Sequence, residues 1–422
     1  MNRSTLITEI KGRQIFDSRG NPTVWCRVRL QDGSLGCASV PSGASTGRFE
    51  AVELRDRERA YGGMGVIKAV YSVNGKIAEG LLGMDAADQR SIDTALCRLD
   101  GSINKEVLGA NATLAVSLAC AKAAAASYAL PLYRYLGGAL VNRLPLPFMN
   151  VLNGGKHADN GLTLQEYMII PLSATSFAGA MRMGSEIYHA LKSILREDDH
   201  RISLGDEGGF APMLKTDEEA LGYLLRAIEF AGYEPGKDAA LAVDAAASEW
   251  YREGLYRFKD GSKALNGKEL VDYYEELCRR YPIVSIEDPF HEEDFDSFSA
   301  FTSKCGKKIQ IVGDDLFVTN ALRLKEGIKK GCCNCVLLKP NQVGTLSETI
   351  DTANLALSHG YRLMPSHRSG ETEDTLIADI SVALCSGQIK TGAPARGERT
   401  AKYNRLLEIE DELAPHALYG LC

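Results

Sequence analysis

Acidic residues and one lysine stand at equivalent places in four short apolar segments of this sequence. The segments end in Asp244, Glu287, Asp314 and Lys339, and each is typical of a buried strand. The carboxyl ends of parallel strands meet at one face of an α/β barrel, where barrel enzymes build their active sites. Carboxylate oxygens are the ligands that Mg²⁺ prefers, and a lysine beside a cation can act as a base. The pattern therefore predicts a magnesium site with an adjacent general base.

Each acid has an alternative role as a helix cap or as the partner of a basic side chain. Three acids at matching places, followed by a lysine at a fourth, favour a shared site. For Lys339 to act as a base near neutral pH, its pKa must fall by roughly three units from about 10.4, which costs about 4 kcal/mol. Burial and a nearby cation supply such a shift, and a cationic site of this kind implies an anionic substrate.

Basic and hydroxyl side chains follow two further strand-like segments. Arg368 and Ser369 come soon after the apolar run that ends at Met364, and Lys390 follows another apolar stretch. A guanidinium beside a hydroxyl is typical of a phosphate-binding site. An Arg-Ser pair taken alone is weak evidence, and Lys390 adds positive charge to the same prediction.

Glycine-rich segments accompany two more acids. Glu166 follows NGGKHADN (153–160), and Glu207 lies in GDEGGF (205–210). Glycines allow the backbone to approach a ligand closely, although a solvated turn is the alternative. The segment PSGASTG (41–47) lacks the Gly-Lys-Ser/Thr of a nucleotide-binding loop, so we interpret it as a mobile lid whose hydroxyls reach a metal.

An alternation of strands and helices must position these side chains. Residues 1 to about 60 show strand patterns with a hairpin turn at 31–34, and residues 67–136 are helical and alanine-rich. Two prolines at 144–147 indicate a domain junction. Beyond it, capping boxes at 216–219 and 345–348 predict helix starts.

The order of these elements predicts an α/β fold. We expect a TIM-like α/β barrel with a parallel sheet in residues 141–422 and a smaller N-terminal α+β domain in residues 1–140. The chain of 422 residues is long enough for both.

Composition and charge argue against several classes of protein. The net charge is −7, and acids and bases are interleaved along the chain. The sequence has no basic stripe of the kind that binds nucleic acid. No apolar run reaches the roughly 18 residues of a membrane span, and the N-terminus lacks the apolar core of a secretory signal. We therefore expect a cytoplasmic protein.

The eleven cysteines suggest reduced core thiols rather than disulfides. Six lie in apolar segments, at Cys26, Cys37, Cys97, Cys120, Cys278 and Cys385. The run Cys332-Cys333-x-Cys335 has a metal cluster as its alternative, but no second Cys/His pair at zinc-like spacing accompanies it.

Taken together, these segments resemble the enolase family over nearly the whole chain. The matching segments are FDSRGNPTV (16–24), VPSGASTG (40–47), GANA (109–112), NGGKHADN (153–160), QEYMIIP (165–171), GDEGGFAP (205–212), SIEDP (285–289), GDDLFVTN (313–320), LLKPNQVGTL (337–346), SHRSGETEDT (366–375), QIKTGAP (388–394) and AKYNRLL (401–407). Twelve motifs in the family's order make a chance match untenable.

The resemblance implies a Mg²⁺-dependent, reversible dehydration of 2-phospho-D-glycerate to phosphoenolpyruvate, with two Mg²⁺ per site. Lys339 would be the base, and Glu207 would assist departure of the hydroxyl. The implied metal ligands are Asp244, Glu287, Asp314 and, when the lid closes, Ser42. The implied substrate-binding side chains are His157, Gln165, Glu166, His367, Arg368, Ser369 and Lys390. The family also implies a homodimer or a higher homo-oligomer.

Four positions depart from the family pattern without removing a catalytic group. Pro340 follows Lys339 where an aliphatic residue is usual, and Pro365 replaces a small aliphatic residue. Thr113 and Ala115 replace an aliphatic residue and a glycine. These changes bear on rate and loop dynamics more than on the reaction.

Two alternatives remain at this stage. One is a paralogue that acts on another carboxylate, and the intact Arg368, Ser369 and Glu207 argue against it. The other is a non-catalytic, enolase-like binding protein with a secondary role at the cell surface. Plasminogen binding is associated in the family with C-terminal lysines, whereas this chain ends Tyr-Gly-Leu-Cys.

Overall fold

The computed structural model describes residues 4–44 and 47–421. Ser45 and Thr46 of the predicted lid, the first three residues and Cys422 lie outside the described residues.

An antiparallel sheet opens the described chain. Its strands are β1 (Ile7–Phe16), β2 (Pro22–Leu30) and β3 (Leu35–Ser39), in that order across the sheet. The predicted turn at 31–34 connects β2 to β3, so the hairpin is confirmed. Alternate side chains of β2 are buried, as the half-buried pattern predicted.

Helices follow this sheet and cover one of its faces. They are α1 (Ile67–Ser72), a π-helical turn (Val73–Ile77), α2 (Ala78–Leu81), α3 (Gln89–Asp100), α4 (Ala110–Ser127) and α5 (Leu132–Gly137). Helix α4 is buried on nearly all sides because it packs very closely on the sheet. A Cβ atom at Gly36 would lie 2.1 Å from the carbonyl oxygen of Ala119, which explains the glycine and the many alanines there.

Within the described residues, eight strands form the barrel sheet. They are β5 (Leu146–Asn153), β6 (Glu166–Pro171), β7 (Ala239–Asp244), β11 (Ile283–Glu287), β12 (Gln310–Gly313), β13 (Cys335–Leu338), β14 (Arg362–Pro365) and β15 (Gln388–Lys390). Their order is β15-β5-β6-β7-β11-β12-β13-β14. A parallel bridge between Ser366 and Lys390 brings the two edges together.

The sheet is not parallel throughout, so that prediction was wrong for one strand. Strand β6 runs antiparallel to both β5 and β7. The connection from β5 to β6 contains a 3₁₀ turn at Gly155–His157 but no crossover helix, and antiparallel pairing is the arrangement that such a connection permits.

Helices surround the barrel, and shorter strands complete it. The helices are α6 (Phe177–Glu197), α7 (Asp217–Phe230), α8 (Gly267–Arg280), α9 (Phe295–Cys305), α10 (Ala321–Lys330), α11 (Leu346–Ser358), α12 (Leu376–Ala383) and α13 (Gly397–Leu413). The shorter strands are β4 (Arg143–Leu144), β8 (Tyr251–Arg252), β9 (Leu255–Arg257), β10 (Ala264–Leu265) and β16 (Leu418–Tyr419).

The predicted helix starts at Thr216 and Thr345 are confirmed as N-caps. Each threonine hydroxyl accepts a bond from a backbone N–H three residues on, at 3.2 and 3.3 Å. The reciprocal half of the capping box differs, because the Glu219 carboxylate accepts from the N–H of Lys215 instead. Both helices therefore begin where the sequence predicts.

The fold class is confirmed: an α/β barrel of the TIM type is combined with a smaller N-terminal α+β unit. One buried apolar cluster fills the barrel layers, and another joins the N-terminal sheet to helices α1–α4. Leu346 and Leu376 contribute to the N-terminal cluster, so the two units share an apolar contact. The predicted boundary at 140/141 remains a prediction.

Cysteine burial follows the prediction in part. Cys26, Cys120 and the 332–335 thiols are buried, Cys97 and Cys278 are half-buried, and Cys37 and Cys385 are exposed. The last two were therefore placed wrongly in the core, because strand and helix-end positions expose them. In the described part of the chain, no helix combines the length and apolar character that a membrane span requires.

Candidate active site

A cleft opens at the carboxyl end of the parallel barrel strands, where β6 begins. It is lined by His157, Gln165, Glu166, Glu207, Asp244, Asp314, Lys339, His367, Arg368, Ser369 and Lys390, together with Ala246, Glu249, Asp288, Asp315 and Ser366. Eleven of the side chains named from the sequence thus meet in one place. Glu287 joins them through Lys390, and Ser42 does not line the cleft.

Lys390 is buried among carboxylates. Its Nζ lies 2.8 Å from Glu287 Oε2 and 3.1 Å from both Asp244 Oδ2 and Glu166 Oε2. Burial disfavours the ammonium, but the surrounding acids outweigh it and hold the pKa of Lys390 well above its ordinary value. Lys390 is therefore positively charged and offsets part of the negative charge of these acids, as the ion-pair alternative anticipated.

Asp288 is a functional residue that the sequence reasoning missed. Its two carboxylate oxygens accept bonds from the backbone N–H groups of Asp314 and Asp315, at 2.9 and 2.8 Å. Asp288 thereby fixes the loop that presents Asp314 to the cleft. Its place in SIEDP, directly after a ligand-type acid, was a signal for such a role.

Lys339 contacts Asp314 directly. Its Nζ donates to Asp314 Oδ2, and its backbone N–H donates to the Thr319 hydroxyl at 2.9 Å. Burial favours the neutral amine, but the Asp314 carboxylate reverses the balance and raises the pKa of Lys339. In this arrangement Lys339 carries a proton, and its use as a base depends on charge compensation at Asp314.

The anion clamp is closed by the chain's own groups. The Arg368 guanidinium donates to both oxygens of Glu50, at 2.9 and 3.2 Å, and to Asn341 at 3.2 Å. The Ser369 hydroxyl accepts from the N–H of Ala44 at 2.7 Å. Glu50 was not recognised in the sequence, since a single acid outside any motif of charged residues gives no signal.

Ser42 is fully buried and points away from the cleft. Its hydroxyl donates to Asp17 Oδ2 at 2.7 Å and accepts from the Arg19 guanidinium at 3.0 Å. Its backbone forms both bonds of a bridge with Gly370. A metal-binding role for Ser42 therefore requires the 41–47 loop to rearrange and remains a prediction.

Glu166 and Glu207 form a carboxyl pair on the side of the barrel that carries the reversed strand β6. Oxygens of the two groups lie within 4.8 Å of each other. Burial and the neighbouring Glu207 charge raise the pKa of Glu166 well above its ordinary value. Burial alone would raise the pKa of Glu207 too, but His367 and His157 outweigh it and hold that pKa well below. These neighbours therefore favour the ionised form at Glu207 and the protonated form at Glu166.

Hydrogen bonds keep Glu207 in place. The Asn150 side chain donates to Glu207 Oε2 at 2.9 Å, and His367 Nε2 lies 3.3 Å from the same oxygen. On the far side of the ring, the Arg399 guanidinium lies 2.6 Å from His367 Nδ1. Arg399 was missed in the sequence because it lies outside the AKYNRLL motif (401–407).

The acidic residues fit a divalent cation. Asp244, Glu287 and Asp314 offer only oxygen ligands, and Glu287 Oε1 is buried without a hydrogen-bond partner among the described residues. Burial and the Asp244 charge raise the pKa of Glu287 well above its ordinary value, an excess of negative charge that a cation relieves. Asp288, Asp314 and Asp315 also bring oxygens within 4.8 Å, but backbone N–H groups already occupy Asp288.

Family comparisons agree with this geometry. Residues 7–136 match the family model described as the enolase N-terminal domain, and residues 141–421 match the one described as the enolase C-terminal TIM barrel domain. Together the two matches cover almost all of the chain, including every element that lines the cleft. The chain therefore belongs to the enolase family.

Proposed function

We propose that this protein catalyses the Mg²⁺-dependent, reversible dehydration of 2-phospho-D-glycerate to phosphoenolpyruvate. One observation carries the proposal: the base and the carboxyl pair lie on opposite walls of one cleft. Lys339 follows β13 and Glu166 begins β6, four places apart in the order of the eight described strands. A substrate between them meets a base on one face and an acid on the other, as a β-elimination requires.

The chain's own groups account for the bonds that form and break. Lys339 takes the proton from C2, the C2=C3 double bond forms, and the C3–O bond breaks. The proton of the Glu166–Glu207 pair leaves with the hydroxyl as water, and Glu207 assists this departure. Enolase-superfamily sites in general combine a Lys or His base with bound Mg²⁺.

Two positive groups orient an anionic substrate. Arg368 and Ser369 are placed to bind the phosphate once Glu50 and Ala44 release them, and Lys390 is placed to meet the carboxylate. Asp244, Glu287 and Asp314 would hold Mg²⁺, which supplies electrostatic stabilisation of the negative charge that develops on the carboxylate. With Asp314 so engaged, the pKa of Lys339 falls toward the range of a base.

An activity assay tests the proposal. Phosphoenolpyruvate formation, followed by ultraviolet absorbance with Mg²⁺, should be lost by about 10²–10⁴-fold in Lys339→Ala. Lys330→Ala, at the exposed end of α10, is the matched control and should retain full activity. Absence of activity in the folded wild type at every Mg²⁺ concentration would sink the proposal.

A substrate panel separates the proposed reaction from that of a paralogue. We expect turnover of the phosphorylated acid and none of unphosphorylated 2-hydroxy acids, because Arg368 is buried and demands a strong anion. Turnover of another carboxylate in preference would identify the paralogue instead.

We also propose a cytoplasmic homodimer that serves glycolysis or gluconeogenesis. Size-exclusion chromatography with light scattering would test the dimer, and cell fractionation would test the compartment.

A further inference from the structure

Arg399 is a buried arginine whose two terminal nitrogens both contact groups of the candidate active site or its supports, while its Nε lies 3.5 Å from Glu398 on the same helix. Its side chain is completely buried, and it is the third residue of α13. One terminal nitrogen lies 2.6 Å from both His367 Nδ1 and the Arg368 carbonyl oxygen. The other donates to the carbonyl oxygens of Ser369 and Asp206, at 2.7 and 3.0 Å.

These contacts connect two segments that are far apart in the sequence. Asp206 precedes Glu207 in the glycine-rich segment, and residues 367–369 form the loop after β14. The guanidinium is planar and its five N–H groups have a fixed geometry, so it orients several acceptors at once. A flexible ammonium has no such geometry.

The contact with His367 determines where the imidazole carries its proton. A guanidinium is always charged and only donates, so His367 Nδ1 must accept. The ring is then neutral, and its proton lies on Nε2, which is 3.3 Å from Glu207 Oε2. The charged groups around the ring are Glu207, Arg399 and, more distantly, Glu371. Burial and Arg399 hold the pKa of His367 at about 4, in agreement with a neutral ring.

We propose that Arg399 is a positioning residue that fixes His367 in the Nε2-protonated tautomer and thereby keeps Glu207 ionised and aimed into the cleft. The proposal rests on the proposed function for its catalytic consequence. Without the Arg399 donor, Nδ1 is free to take the proton, and the Nε2 lone pair then faces the Glu207 carboxylate. Repulsion would move Glu207 or force it to bind a proton.

The first test is spectroscopic and needs no enzymatic activity. Long-range ¹H–¹⁵N correlation spectra of the ¹⁵N-labelled full-length protein, near neutral pH and without Mg²⁺, report the protonated nitrogen of each histidine. His367→Asn assigns the signal. We expect His367 to be protonated at Nε2 in the wild type and to become mixed or protonated at Nδ1 in Arg399→Met.

Two further variants keep the test decisive. Arg399→Lys retains the charge and replaces Arg399→Met if the latter fails to fold; its ammonium cannot serve all four acceptors, so the tautomer should again become mixed. Arg405→Met is the matched control on the same helix, where an arginine pairs with Asp379 and Glu412 away from the cleft. It should destabilise the fold without changing the His367 tautomer.

Kinetics then show whether the tautomer matters for the reaction. In a folded Arg399 variant, kcat should fall about 10- to 100-fold with a smaller change in KM, because Glu207 is displaced while Arg368 stays. The proposal is overturned if wild-type His367 is protonated at Nδ1 or doubly protonated, or if a folded Arg399 variant keeps the wild-type tautomer. An inactive wild type with the expected tautomer would instead contradict only the proposed function.

Discussion

The Ser42 hydroxyl donates to Asp17 Oδ2 at 2.7 Å and does not line the cleft. The resemblance to enolases would place it at a metal in that cleft. Because the same hydroxyl also accepts from Arg19, two contacts must break before Ser42 turns inward. Of the thirteen side chains named from the sequence, eleven line the cleft without this hydroxyl, and Glu287 reaches them through Lys390.

Ser42→Ala tests whether that hydroxyl later reaches a metal. We expect the Mg²⁺ concentration for half-maximal activity to rise about 10-fold, as for loss of a supporting metal contact. Activity measured against Mg²⁺ concentration gives the result. Ser34→Ala, on the exposed hairpin turn, is the control, and an unchanged Mg²⁺ dependence in Ser42→Ala would remove Ser42 from the metal site.

Glu287→Gln should have opposite effects on stability without and with Mg²⁺. Burial and Asp244 disfavour the ionised form of Glu287, so its replacement by a neutral amide of similar shape should leave the chelator-treated variant at least as stable as wild type. The same change weakens the metal site, so the rise in Tm on adding Mg²⁺ should shrink or disappear. Thermal unfolding in chelator and in Mg²⁺ measures both, and Glu249→Gln at the cleft rim should keep the wild-type rise.

His367 should make the protein less stable as the pH falls below about 6.5. Its pKa is about 4 in the folded chain against an ordinary 6.5, so between these values the unfolded chain binds more protons. The contribution of the neutral His367 ring to the free energy of unfolding is fully present when the pH is well above the ordinary pKa of 6.5. About 2 kcal/mol is lost between roughly pH 7.5 and pH 5.

Denaturant unfolding at several pH values checks this window. The free-energy difference between wild type and His367→Asn should change by that amount across it, because asparagine does not titrate. His359→Asn, at an exposed helix end, should run parallel to wild type. Parallel curves for His367→Asn would show that burial does not lower the pKa of this imidazole.

Glu50→Gln should make the protein more responsive to anions. The Glu50 carboxylate competes for Arg368, so its neutralisation leaves a buried guanidinium that phosphate can pair. We expect a lower Tm without ligand and a larger rise in Tm with inorganic phosphate. Glu9→Gln, whose carboxylate pairs with Arg27 on the N-terminal sheet, is the control. An unchanged response to phosphate in Glu50→Gln would mean that Glu50 does not compete with phosphate for Arg368.

Thr113→Val should cost about 1–3 kcal/mol of stability, because it leaves a buried carbonyl without a donor. The Thr113 hydroxyl donates at 2.8 Å to the carbonyl oxygen of Gly344, in the turn that begins at Pro340. This contact accounts for a threonine where the family has an aliphatic residue. Denaturant unfolding measures the loss, and Thr400→Val, on an exposed turn of α13, should cost far less.

The charged residues at the strand ends could be predicted from the sequence, because a barrel brings residues at the same position of successive strands to one face. Asp244, Glu287, Asp314 and Lys339 each end an apolar run, and parallel strands bring such ends together regardless of the loops between them. Lys339 has an extended backbone, with φ −124° and ψ 98°, which Pro340 tolerates.

Supporting residues were beyond the reach of the pattern. Arg399, Asp288 and Glu50 act through contacts that join segments distant in the chain. For Arg399 and Glu50 nothing in the local sequence distinguishes them from ordinary charged residues, whereas Asp288 is marked by its place in SIEDP. The pKa values of Lys339 and Glu207 were also beyond it, since each depends on which charged neighbour lies closest. Distances decide these properties, and residue types alone do not.

The reversed direction of β6 makes the site sensitive to strand register. Glu166 is opposite Asp244 only because β6 starts where β7 ends. Side chains alternate between the two faces of a strand, so a slip of one residue would direct the Tyr167 ring into the barrel interior and send Glu166 outward. A single-residue insertion or deletion between Asn153 and Glu166 is therefore expected to be tolerated only where the loop absorbs it. One within β6 would separate Glu166 from Glu207, although the apolar strand could still hydrogen-bond to its neighbours.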